Sequence, residues 1–442
     1  MDSVKKITPE ALHRPMPHLI SKTFKSLTEI CLGRTNGLHA LKEPERPQAT
    51  LADSGSLGHP LLSRWRNLRG AAMKRHSEIV KDLLSLCDIK IGGPRPWDIQ
   101  VTDKRMYARV LSDKNLGLGE SYMEGWWHCA RVDELICRIL RARVDQKVSG
   151  SWKLVLPLLH ALVANRQSLI RSRDAVERHY DLGNDLFLSF LDPYNQYSCA
   201  YFKDSNDLNR AQVDKMELIC RKLNLTARDR VLDIGFGWGG LARYMAEQYG
   251  CTVTGINISE EQIRYARQSC RNLPVDVIRA DFREVQGSFD KIVSVGMFEH
   301  VGRKNYRRFM ETANRCLAES GIFVLHTIGN NESLLSTDPW ITKYIFPNGE
   351  VPSLAQISRA MEGLFVVEDV HNLGPHYDRT LMAWNERFQS AWPQLNGKYD
   401  ERFKRMWEYY LLSCAGAFRA RDLQVWQMCL TKRGNPQPTF RY

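Results

Sequence analysis

From about residue 176 onward, apolar runs of strand length alternate with stretches whose apolar residues recur at helical spacing. That alternation predicts a parallel sheet with helices on both faces. The strand-like runs are RVLDIGF (230–236), CTVTGINI (251–258), VDVIRAD (275–281), DKIVSVGMF (290–298) and GIFVLHTIG (321–329). Between them GLARYMAEQY closes at Gly250, and Ser259-Glu260-Glu261-Gln262 has the spacing of a capping box. The last third adds a strand near LFVVEDVHNLG, helices around TLMAWNERFQSAW and RFKRMWEYYLL, and a final strand near VWQMCLTK. The expected fold class is therefore α/β: a doubly wound, mostly parallel, seven-stranded sheet with a smaller mixed N-terminal domain.

Upstream, the pattern changes twice. Residues 1–71 are polar, basic and broken by Pro15, Pro17, Pro44, Pro47 and Pro60, which reads as a flexible basic extension. Within it HLISKTFKSLTEICL has helical spacing beside lysines, suited to packing on its own domain or to lying on a membrane surface. Residues 72–145 are dense in core residues and read as a small separate domain. Residues 146–175, including SWKLVLPLLHALVANRQSLIRSRDAV, read as a linker helix, and 176–442 as the main domain.

Composition narrows the partner. The 442 residues carry a formal charge of +12, which favours an anionic partner: nucleic acid, an anionic membrane surface or an acidic small molecule. The eleven cysteines include no CxxC pair, so neither a zinc site nor a disulfide framework is expected, and a reducing cytoplasm is the natural setting. No apolar run approaches the ~20 residues that span a bilayer, and MDSVKKITPE lacks a signal-peptide core. Membrane contact, if any, is expected from one side.

The chemistry begins at VLDIGFGWGG (231–240), a strand running into a glycine-rich turn and a helix. Asp233 stands two residues before Gly235, with Gly237 and Gly239 following, a spacing unlike both the GxGxxG phosphate fingerprint and the P-loop. A nucleoside cofactor lacking a pyrophosphate suits it. The stretch resembles motif I of the class I S-adenosylmethionine-dependent methyltransferases. That resemblance implies that Asp233 faces the charged end of S-adenosyl-L-methionine and that the glycines lie under it. Where many such enzymes place an acidic residue after the second strand, this chain has Asn257, Ser259 and Gln262, so amide and hydroxyl groups are expected to bond the ribose. Asp281 and Phe282, after the third strand, complete the expected cofactor-binding set.

Methylation of nucleic acid is not the expectation. The Asn- or Asp-Pro-Pro-aromatic and Pro-Cys elements of nucleic-acid methyltransferases are missing, and GMFEHVG (296–302) stands after the fourth strand instead. ERHYDLGNDLF (177–187), QYSCAYF (196–202), GMFEHVG, VLHTIG (324–329), KYIFPNG (343–349), HYDRTLMAW (376–384) and CAGAFRARD (414–422) follow in order. Together they closely resemble the cyclopropane-fatty-acyl-phospholipid synthase family, from about residue 72 to the end. Phe236 departs from the cysteine usual at its place in motif I, which alters packing but removes no ligand group.

The resemblance implies a peripheral enzyme on the inner face of the cytoplasmic membrane. Its substrate would be an unsaturated membrane phospholipid, its small domain would bind lipid, and two copies would form a homodimer. It also implies that bound bicarbonate acts as general base in a cradle of Cys199, Glu299, His326 and Tyr377. The chemistry of those groups suits the role: Glu299 accepts the hydroxyl hydrogen, while His326, Tyr377 and backbone amides donate to the oxygens. Tyr197 and Ser198 are expected to touch the cofactor. Tyr201, Phe202, Phe298, Trp340, Tyr344 and Phe346 are candidates to line an acyl tunnel, though for any single one of them plain core packing is the preferred reading. His300 reads as packing, and Cys414 as a buried inert thiol rather than a catalytic thiolate. A relative that stops at a methyl-branched chain, and a lipid-binding protein with a vestigial cofactor fold, are the competing readings.

Overall fold

A computed structural model describes residues 74–143, 183–334 and 337–439. The extension over 1–71, the linker helix over 146–175 and the 177–182 half of ERHYDLGNDLF lie outside the described residues. Ahead of the sheet come helix α1 over 74–85, strands β1 (Gln100–Val101) and β2 (Trp127–His128) paired antiparallel, and helices α2 (Arg105–Met123) and α3 (Val132–Ala142). Helices α4 (Asn184–Phe190) and α5 (Leu208–Lys222) lead into the alternating region.

All seven expected strands form. They are β3 (Arg230–Ile234), β4 (Thr252–Asn257), β5 (Val275–Arg279), β6 (Phe289–Val295), β7 (Leu317–Asn330), β8 (Val366–Asn372) and β9 (Leu423–Thr431), in the spatial order β5-β4-β3-β6-β7-β9-β8. The first five pair in parallel, and β9 slots antiparallel between β7 and β8. Strand order reverses beside β3, so the crevice at the carboxyl ends of β3 and β6 is where such a sheet binds its ligand. Register fixes what meets there: Val295 of β6 lies opposite His326 of β7, which lies opposite Gln427 of β9.

The helices follow local chemistry. Helix α6 (Gly240–Tyr249) ends on Gly250 at φ +69°, a left-handed cap. Helix α7 (Glu260–Ser269) starts on Ser259, whose hydroxyl accepts from the Gln262 amide at 3.5 Å. The expected capping box is only half formed. The Gln262 side chain accepts instead from Asn257 Nδ2 at 2.8 Å, and the Ser259 N–H goes to Asn257 Oδ1, because the β4 end lies closer to hand. Helices α8 (Tyr306–Cys316), α9 (Pro339–Tyr344), α10 (Leu354–Met361), α11 (Gly374–Leu395) and α12 (Glu401–Arg419) complete the layers.

Residues 74–143 share a compact unit and a hydrophobic cluster with the sheet domain. Helix α12 is the seam, since Gly416 lets it approach the Asp133 carbonyl on α3 and Arg419 pairs with Asp133 and Asp378. Trp340 of α9 fills the notch at Gly119 on α2, while Lys343 and Tyr344 both reach Glu120.

The tightest backbone approach is at Gly240, where an added methyl would overlap the Tyr194 carbonyl oxygen. Gly240→Ala should therefore lower unfolding free energy by about 1–3 kcal/mol in urea titrations. Gly250→Ala meets only the Ala227 methyl at 3.6 Å and should cost about 1 kcal/mol, the strain of its φ alone.

Candidate active site

Strand β3 carries Asp233 to the crevice and ends in a turn whose Gly235, Gly237 and Gly239 have φ of +84°, +59° and +82°. A side chain at Gly235 would strike Met297, and one at Gly239 would press on Ala266. At Gly237 nothing lies within 4 Å, so the turn presents bare backbone to open space there. Phe236 points the other way, onto Gly255, Ile263, Ala266 and Val277. Its departure from the family's cysteine is thus absorbed on the α7 side of the turn.

Asp233 is 2% exposed, and its Oδ2 has no hydrogen-bond partner. Burial lifts its carboxyl to about 7 against the opposing charge of Lys215. An unpartnered buried carboxylate beside an open glycine strip fits a nucleoside carrying a cationic amino-acid end.

The other expected cofactor residues fall in three groups. Tyr197 stacks on Trp384 at 5.1 Å, and its hydroxyl meets that of Tyr410 at 2.8 Å. Ser198 accepts from the Lys215 ammonium at 3.0 Å. Asn257, Ser259 and Gln262 bond one another around the β4–α7 turn, and Asn257 Nδ2 also donates to the Gly237 carbonyl at 3.3 Å, tying that turn to motif I. Asp281 caps a single turn over 282–284 and pairs with Arg283, while Phe282 is buried against Phe309.

Glu299 stands in a short turn (Phe298–His300) just past β6. The Gly296 N–H bonds the His326 carbonyl at 2.9 Å, so the turn follows β7 closely. Glu299 is 6% exposed; Oε1 accepts from the Ile328 N–H of β7 at 2.6 Å, and Oε2 has no partner. Burial raises its carboxyl to about 7, only partly opposed by the hydrogen bonds it accepts. A carboxyl that titrates near neutrality in a crevice is what proton chemistry requires.

His326, Cys199 and Tyr377 are buried as well. His326 is buried on β7, its Nδ1 at 3.1 Å from the Gln427 amide nitrogen. Burial, reinforced by Lys215 and Lys222, holds it well below the usual imidazole range and therefore neutral. Cys199 is fully buried, its thiol 3.7 Å from the Leu373 carbonyl at the start of α11; burial pushes the thiol up. One turn along α11, Tyr377 has its phenol raised by burial and then by Tyr197, Cys199 and Glu299. Tyr377 is thus within electrostatic reach of Cys199 and Glu299, and His326 sits on the strand whose Ile328 N–H bonds Glu299.

The tunnel aromatics divide. Phe298 takes the core-packing reading: it is fully buried and stacks on Tyr306 at 4.4 Å in the core around α8. Trp340 and Tyr344 serve the seam with α2. Phe202 lies under Arg379, and Tyr201 against His376. Phe346 sets its edge on Tyr410 at 5.9 Å and on exposed His300 at 5.6 Å. Burial pushes the Cys414 thiol up to about 12, so it is a thiol and not a thiolate at neutral pH.

Lys215, Gln212, Gln427 and Tyr410 were not singled out from the sequence. The one available signal was polar residues three apart, Gln212 and Lys215, on the inward face of an amphipathic helix.

A family profile described as Mycolic acid cyclopropane synthetase matches residues 167–428. The chain is 51% identical over 354 residues to the cyclopropane-fatty-acyl-phospholipid synthase of Escherichia coli strain K12, spanning 80% of this chain and 93% of that one. It is 34% identical over 345 residues to the tuberculostearic acid methyltransferase UfaA1 of Mycobacterium tuberculosis, spanning 73% and 80%. The solved mycolic acid cyclopropane synthase CmaA1, complexed with SAH and CTAB, superposes with a TM-score of 0.54 at 33% identity, over 58% of this chain and 97% of that one. Among the described residues no helix is long and apolar enough to cross a membrane.

The raised carboxyl of Glu299 has a stability signature. Its folded form holds a proton up to about pH 7 while the unfolded chain releases it near the ordinary glutamate value, so stability falls as pH rises between the two. Glu299→Gln should match the parent near pH 4 and exceed it by about 2–3 kcal/mol at pH 8 in urea unfolding. Equal stability of the two at both pH values would contradict the burial assigned to Glu299.

Proposed function

We propose that this chain, which belongs to the mycolic acid cyclopropane synthetase family and is an S-adenosylmethionine-dependent methyltransferase, builds a cyclopropane ring across the cis double bond of an unsaturated phospholipid acyl chain. The observation that carries this reading is Glu299: a buried carboxyl with one oxygen lacking a hydrogen-bond partner, just past the strand that pairs with Asp233's own. The close likeness to the E. coli synthase over nearly its whole length supports the choice of substrate.

When bound, S-adenosylmethionine supplies an electrophilic methyl group. Asp233 and the bare backbone at Gly237 would hold its amino-acid and nucleoside parts, with Tyr197 and Ser198 of the 196–198 loop as further contacts. Attack by the alkene on that methyl would break its bond to sulfur, releasing neutral S-adenosylhomocysteine and leaving the positive charge on the acyl chain, and ring closure then needs loss of a proton from the carbon just added. Bicarbonate would supply the base, held by Cys199, Glu299, His326 and Tyr377. Neutral His326 and the raised phenol of Tyr377 both keep protons to donate, and Glu299 Oε2 is free to accept. The buried rings of Tyr377, Tyr197 and Trp384 face this region and stabilise positive charge without offering a nucleophile.

Membrane engagement belongs to the same proposal. The excess of twelve positive charges draws the protein to anionic leaflets, with residues 72–145 binding lipid beside the α12 seam and two copies forming a homodimer. Relatives named as methyltransferases make an open, methylated chain the alternative product.

The test incubates full-length protein with S-adenosylmethionine and vesicles of cis-unsaturated phospholipid, varying bicarbonate and the anionic lipid fraction, and identifies the acyl chains by mass spectrometry and NMR. Ring protons on a chain heavier by one methylene are expected, with yield rising with both additions. Glu299→Gln should lose activity by about 100-fold or more while still binding S-adenosylhomocysteine, and Cys414→Ser should stay within a few-fold of the parent. Equal losses in both folded variants would sink the assignment, and an open methylated chain would select the alternative.

A further inference from the structure

Helix α5 presents Gln212 and Lys215 on one face, and both are fully buried. Gln212 Nε2 donates to the carbonyls of Gln196 at 3.2 Å and Ser198 at 3.0 Å. Lys215 Nζ donates to Gln196 Oε1 and to Ser198 Oγ, the latter at 3.0 Å. The segment they grip is held elsewhere too. Asp192 accepts from the N–H groups of Tyr194 at 2.9 Å and Gln196 at 2.8 Å, the Tyr194 carbonyl lies against Gly240, and the Ala200 N–H donates to Thr380 at 3.0 Å.

A buried ammonium is costly unless an anion compensates it. Among the described residues no carboxylate hydrogen-bonds Lys215; its partners are an amide oxygen and a hydroxyl oxygen. Asp192 and Asp233 act on it only at longer range, and burial draws its pKa down to about 8. Across the crevice, Asp233 likewise keeps an oxygen without a donor. The site thus holds a separated buried cation and anion, the complement of a zwitterion.

Because an ammonium can only donate, Ser198 Oγ must accept from Lys215, and the serine's own proton is left for another acceptor. We infer that Lys215 is a positioning residue that fixes Ser198 as a hydrogen-bond donor to the carboxylate of the cofactor's amino-acid end, while Asp233 faces its ammonium. This rests on the reading of the 196–198 loop as cofactor-facing.

Calorimetric titration of the full chain with S-adenosylhomocysteine and with its decarboxylated analogue separates the two ideas. The parent should prefer the carboxylated ligand by about tenfold or more. Lys215→Met and Ser198→Ala should each cut that preference to about threefold or less, with the decarboxylated analogue binding nearly as before. Should Lys215→Met fail to fold, Ser198→Ala carries the test, since it leaves the ammonium in place. An undiminished preference in Ser198→Ala, or equal weakening of both ligands in Lys215→Met, would overturn the inference. A parent protein that binds neither ligand would overturn the cofactor-facing reading beneath it.

Discussion

A carboxylate taken out of water has to be paired, hydrogen-bonded or protonated, and the crevice at the strand ends leaves that requirement partly unmet for Asp233 and Glu299. Each keeps one oxygen without a donor, and burial lifts each to about 7. The parallel sheet makes this possible. Strands β3 and β6 pair side by side at the point where strand order reverses, which sets Asp233 on the one and Glu299 just past the other.

The surrounding elements hold this arrangement in place. The Ile328 N–H of β7 clamps one Glu299 oxygen, and antiparallel β9 sets Gln427 beside His326 by register rather than by loop geometry. Helix α12 takes part at its middle and at its C-terminal end. Tyr410 meets the Tyr197 hydroxyl, while two turns on Gly416 and Arg419 engage α3. The same rod therefore borders the reaction site and anchors residues 74–143. That gives the N-terminal segment a direct packing connection to the chemistry.

Much of this was legible in the chain because it rests on local signals. Strand runs, the Gly250 cap and the glycine turn at Gly235–Gly239 depend on periodicity and on conformations that few residues tolerate. Motif residues identified the crevice because their order along the chain matches a known pattern. What stayed hidden depends on side-chain direction or on distant partners. Phe298 and Glu299 are neighbours in sequence, yet a single turn sends one into the core and the other into the site. Gln262 had the spacing of a capping residue, but Asn257 competed for it successfully. Lys215 is one of two lysines on an amphipathic helix; only the folded loop at 196–198 reveals that its ammonium is enclosed.

The central claim is that the site carries a transferred methyl onward to a ring by removing one of its protons. It is tested most directly with S-adenosylmethionine whose methyl group carries three deuterium atoms, followed by NMR and mass analysis of the acyl product. The account predicts a ring methylene that retains two deuteriums, the third having left with the base. A product that keeps all three in an open methyl group would contradict it.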